Sequence, residues 1–168
     1  MRIVFTGLLA AGLLSAGAAS AQQQCAKPAD VLAFQIAALK SQLMVTALTC
    51  SQQDRYNDFV HRYQSDLMTH ERALTAYFTR TNGRRAQQEH DDYITNLANA
   101  QSQNGIKQGT LFCQMNKGVF DEVMALPKAS DLANYAATKS FTQPIAVVSC
   151  ADAAPATRTA QAAHPATR

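Results

Sequence analysis

Residues 50–113 read CSQQDRYNDFVHRYQSDLMTHERALTAYFTRTNGRRAQQEHDDYITNLANAQSQNGIKQGTLFC. Two polar, helix-forming segments flank Asn82-Gly83, a strong turn dipeptide, and a cysteine closes each far end. The midpoint of positions 50 and 113 falls between 81 and 82, beside that turn. In an antiparallel helical hairpin, residues equidistant from the turn face each other. Cys50 and Cys113 therefore meet, and a disulfide between them staples the open end.

From Gln52 to about Thr81 the chain has no Gly or Pro. Tyr56, Val60, Tyr63, Leu67, His70, Leu74 and Tyr77 alternate steps of four and three, a heptad-like seam. At roughly 1.5 Å per residue, an unbroken helix here is about 45 Å long. Ser51 is its expected N-cap. After the turn the seam resumes as Ala86, His90, Tyr93, Leu97 and Ala100. Gly105 and Gly109 could end this helix. The cysteine positions favour one long or slightly broken helix running to Leu126, with each glycine costing about 1 kcal/mol. Pro127 stops it.

Upstream, residues 29–49 read as a helix, with Pro28 at its approach and Asp30 in its first turn. Leu32, Ile36, Leu39 and Leu43 mark one face, while Phe34, Val45 and Leu48 spread apolar surface beyond it. A helix apolar over most of its circumference is expected at the centre, covered by the others. Downstream, Asp131 to Thr138 could form a short helix capped by Ser130. Ile145 to Val148 is a short apolar run that brings Cys150 back to Cys25. A Cys25–Cys50 pair is disfavoured, because a continuous first helix holds those residues about 37 Å apart. Each of the two expected disulfides closes a long loop and contributes about 3–5 kcal/mol.

The ends have their own character. Residues 1–21 read as a signal peptide: Arg2, an apolar stretch from Ile3 to Leu14, and Ala19-Ser20-Ala21 as cleavage site. There is no twin arginine, and Cys25 lacks the small residues that precede a lipoprotein cysteine. No membrane anchor is expected after cleavage. Removal of 21 residues from 168 leaves 147, enough for one domain, and takes the net charge from +3 to +2. That balance gives no case for nucleic acid. Residues 22–150 form the expected helical domain, and 151–168, rich in Ala, Thr, Pro and Arg, the expected disordered tail.

Four cysteines in an exported chain read as two disulfides, and no C-x-x-C spacing points to redox, haem or zinc chemistry. His70 and His90 draw attention because they sit in the seam. With Tyr77 and Tyr93 they could form a polar layer that holds a metal or a small acidic ligand, or titrates near pH 6.5. Pairing across the turn places His70 near Tyr93 or Ile94, and His90 near Leu74 or Tyr77. The plainer reading is hydrogen-bonded histidines at a seam. The histidines are offset by about one turn, and no Glu-x-x-His pair accompanies them, so no metal is assigned. Asp54, Asp58 and His61 share a helix face, and Glu89, Asp91 and Asp92 crowd the start of the next helix. Both groups read first as solvated surface. Arg80, Arg84 and Arg85 ring the turn as solubilising charge or an anion contact. No G-x-S-x-G elbow occurs, and disulfide-bonded cysteines are not nucleophiles.

The segments TCSQQDRYNDFVHRY (49–63), AYFTRTNGRR (76–85) and SQNGIKQGTLFC (102–113) resemble small exported all-helical proteins of Gram-negative bacteria that carry no assigned function. The resemblance spans about residues 40–126. It implies a periplasmic or secreted all-α domain and transfers no catalytic residue. The expectation is an all-α, disulfide-stapled bundle built on a long antiparallel hairpin. Its expected function is non-catalytic: protein interaction or envelope scaffolding, through an unknown protein partner or self-association. The alternative is a small-ligand or metal-binding bundle using the His/Tyr layer. No cofactor is expected.

Overall fold

The first described helix, α1 (Pro28–Cys50), is the centre of the molecule. It is apolar around most of its girth, and fourteen of its residues are buried, including Phe34, Ile36, Leu39, Leu43 and Val45. A computed structural model describes residues 25–151. The expected signal peptide lies outside the described residues, and so does the expected tail beyond Ala151. Around α1 pack α2 (Gln53–Arg62), α3 (Gln64–Asn82), α4 (Ala86–Gln108), α5 (Leu111–Asn116) and α7 (Leu132–Ala137). A further helix, α6 (Gly118–Met124), packs on α2. The fold is all-α, stapled by Cys50–Cys113 and Cys25–Cys150.

Asp30 anchors the start of α1. Its Oδ2 accepts the Lys27 backbone N–H at 2.7 Å and the Arg80 guanidinium at 2.6 Å. The N-terminal turn is thereby capped and tied to the last turn of α3. At the other end Ser51 does not cap α2, as the sequence led us to expect. It terminates α1 in a left-handed conformation (φ 54°, ψ 52°), its N–H returning to the Ala47 carbonyl. A chain leaving a helix at that angle is already turned away, so α2 begins without a side-chain cap.

The long helix expected from Gln52 to Thr81 is interrupted at Tyr63 (φ −104°, ψ 14°) without Gly or Pro. Packing supplies the reason. The Tyr63 ring is fully buried and its hydroxyl donates to the Val123 carbonyl of α6. Arg62 donates to the Leu126 carbonyl at 2.6 Å, and Arg55 pairs with Asp121. Three bonds thus pull α2 onto α6. The buried stripe is Phe59, Tyr63, Leu67, Leu74 and Phe78, which keeps Tyr63, Leu67 and Leu74 of the expected seam and adds Phe59 and Phe78. Tyr56, Val60, His70 and Tyr77 fall to its edge.

α3 ends at Gly83, whose φ of 55° and ψ of −119° favour glycine. α3 and α4 then pack against each other. The second expected long helix, to Leu126, is broken. α4 ends at Gly109 (φ 57°, ψ −131°), and Gly105 lies inside the helix. Gly105 is needed there for another reason: a Cβ would come within 3.1 Å of the Phe112 ring. That close approach seats Phe112 on Val45 and Cys50, and sets Cys113 beside Cys50. The cysteine pairing holds although the helix does not. Further on, α7 follows a 3-10 turn at Ala129–Asp131, with Asp131 rather than Ser130 at its cap position. The Ile145–Val148 run leads to a bridge between Ala26 and Ser149, with the Cys150 N–H on the Ala26 carbonyl at 2.9 Å.

Candidate functional site

The four singled-out seam residues do not form one layer. Tyr77, His90 and Tyr93 all pack on Phe78, with ring centroids at 5.3, 5.6 and 5.8 Å. Phe34 of α1 completes the cluster, edge-on to Tyr77 at 4.9 Å and to Tyr93 at 5.0 Å. His70 sits elsewhere, in a crevice of about 10 Å³ with Ala33, Ile36 and Leu74, room for about one water.

Polar atoms of the cluster are engaged. The Tyr93 hydroxyl donates to Gln143 Oε1 at 3.0 Å, and burial pushes its pKa well above the ordinary tyrosine range. Burial raises Tyr77 too, with Asp30 adding to the shift and Arg80 opposing it. His90 Nε2 lies 2.8 Å from Glu71 Oε1, off the line of an aligned hydrogen bond. Its Nδ1 is 3.4 Å from Asp91. Burial lowers the His70 pKa, against a smaller upward pull from Asp66.

The surface groups resolve similarly. Arg80 is committed to Asp30, and Arg85 pairs with Glu89 at 2.6 Å. Asp91 accepts from Gln87 at 2.9 Å, which lowers its pKa, helped by His90. Asp54, Asp58 and Asp92 are exposed. Among the described residues no three His, Cys, Asp or Glu side chains gather at metal-binding distance.

Two other features emerge. Over the second half of α1, where α2 and α4 diverge, lies an open cleft. One groove of about 360 Å³ runs along Val60, Gln64, Leu67, Met68, Glu71 and Arg72. A second of about 370 Å³ runs along Tyr56, Asn57, Val60 and His61. A pocket of about 120 Å³ joins Ser41, Met44, Tyr56 and Ile94. Lys40 lines all of them. The signal was present in the sequence: Lys40 is the sole charged residue between Val31 and Cys50.

The second feature is the stapled end. Leu48, Ile106, Leu111 and Met115 are 66%, 79%, 56% and 65% exposed. Leu48, Leu111 and Met115 stand within two residues of a bonded cysteine. By contrast the seam tyrosines Tyr63 and Tyr93 are buried.

No known protein family, curated protein or solved structure matches this chain. The two disulfides belong to an oxidising, non-cytoplasmic compartment.

Proposed function

We propose that this is a non-catalytic interaction protein of the periplasm or extracellular space, docking on other proteins through its stapled end. One observation carries the reading: three large apolar side chains, Leu48, Leu111 and Met115, each more than half exposed, flank the Cys50–Cys113 staple in sequence. Apolar groups collected at one end, rather than scattered singly, are what a docking surface requires. Met115 adds a side chain that adapts to irregular partners. Leu111 and Met115, four apart on α5, present one face.

A photo-crosslinking residue at position 111 or 115, with Gln53 as an exposed control site, tests this in cells exporting the protein. Adducts of defined mass are expected at 111 and 115 and none at 53. An adduct at twice the chain mass identifies self-association. Equal labelling at all three positions, or none, overturns the reading.

A further inference from the structure

We propose that the cleft centred on Lys40 binds a long-chain carboxylate, its head on Lys40 and its acyl chain along Val60, Leu67 and Met68. The site is separate from the stapled end and does not depend on the reading given for it.

Lys40 is half-buried, and among the described residues no acid lies within ion-pair distance of it. A half-buried cation in an apolar helix with no carboxylate in direct contact favours an anionic partner. Beside it, the Ser41 hydroxyl lines the same pocket, is buried, and has no hydrogen-bond partner among the described residues. A buried hydroxyl without a partner costs on the order of 1–3 kcal/mol, and an accepting ligand oxygen relieves that cost. Tyr56 borders the pocket as well. Burial raises its pKa, so its hydroxyl stays protonated and can donate. Two independent features therefore call for the same thing at one place: an acceptor carrying negative charge.

The remainder of the cleft is apolar. Met44, Val60, Leu67, Met68 and Ile94 line it, and Met68 is 54% exposed with no partner covering it. Grooves of about 360 and 370 Å³ fall within the range of small-ligand sites, about 300–1,000 Å³. Glu71 is the one acid on the lining, outnumbered there by the cations Lys40 and Arg72. Arg72 and His61 stand on the same rim. The balance of charge favours an anion over a cation or zwitterion. An acyl chain matches the apolar run better than a compact anion does, because inorganic phosphate would leave Met68 and Ile94 in water.

Calorimetric titration of the disulfide-intact protein, stripped of bound lipid, decides the matter. Dodecanoate below its micelle concentration is expected to bind, and dodecyltrimethylammonium is not. Lys40→Gln, which keeps an uncharged stem of similar length, should weaken dodecanoate about tenfold or more. Met68→Asp, at an exposed position safe for folding, should weaken it as well. Absence of heat with dodecanoate overturns the proposal. So does equal binding of the two amphiphiles, or an unchanged affinity in Lys40→Gln with its melting temperature preserved.

Discussion

The two halves of α1 carry similar apolar sequence and meet different fates. Around Phe34, near the start, Tyr77, Phe78 and Tyr93 close in with ring centroids at 4.9, 6.0 and 5.0 Å. Around Lys40 and Met44, further along and turned about 100° around the helix, α1 faces a cleft. The difference lies in the neighbours. The three-residue turn at Gly83–Arg85 holds α3 and α4 together near their junction, so three aromatic rings fill the space over Phe34. Beyond that, Tyr63, Arg62 and Arg55 draw α2 toward α6, while α4 keeps to the Ala38 side through Gln101, whose Nε2 donates to the Ala38 carbonyl at 3.0 Å. A helix apolar on all sides is buried only where partners arrive with enough bulk. Where they diverge, the same composition makes a groove.

This contrast can be broken most severely at the staple. The Cys50–Cys113 bond spans 63 residues and closes the diverging end. Replacing both cysteines by serine should lower stability by about 4 kcal/mol, through the loop entropy released to the unfolded chain. Chemical denaturation in non-reducing buffer measures it. A loss below about 1 kcal/mol would mean that the diverging end holds its shape without the bond.

A pair of substitutions on α1 sharpens the comparison itself. Phe34→Ala removes a fully buried ring and should cost about 3–4 kcal/mol. Met44→Ala, on the cleft side, should cost under about 1 kcal/mol, since its loss opens onto space already reachable by water. Equal losses in urea titrations would show that the cleft is packed as tightly as the aromatic cluster.

The smallest effect lies at the boundary between the halves. His70 lines the crevice that ends at Lys40, and burial lowers its pKa in the folded protein. The unfolded chain therefore binds this proton more readily. Stability is full above the ordinary histidine value of about 6.5 and falls as pH drops through it toward the lower folded value. The melting temperature should decline between about pH 7 and pH 5.5, and His70→Asn should flatten that part of the profile by under about 1 kcal/mol. An identical slope in the variant would place the titration elsewhere.

Much of the scaffold was legible in the chain. The central helix announced itself by apolar residues over most of its circumference, and the cysteine positions around Asn82-Gly83 anticipated Cys50–Cys113, leaving Cys25 to Cys150. Of the expected seam Tyr63, Leu67 and Leu74 are buried, while Phe59 and Phe78 take the buried places beside Tyr56, Val60 and Tyr77. In a helix with several apolar stripes, period alone does not choose among them. The break at Tyr63 was hidden, because it arises from a hydroxyl reaching a carbonyl 60 residues away, whereas Gly109 was one of two glycines able to end the next helix. The His/Tyr layer was drawn from pairing across a regular hairpin, whereas His90 fell beside Glu71 and Phe78, and His70 fell on the side facing α1.

What the sequence by itself determined is local and covalent: helix-forming stretches, the glycine turns, the all-round apolar character of α1, and which cysteines could meet. These follow from propensity, spacing and reach, each readable within one segment. The tertiary structure alone decided which apolar faces are covered. Burial is a property of two surfaces meeting, and that meeting depends on angles set by distant contacts such as Tyr63 with Val123. Lys40 shows the distinction in one residue. Its lone charge is visible in the sequence, and only the divergence of α2 and α4 places it at the centre of an open cleft.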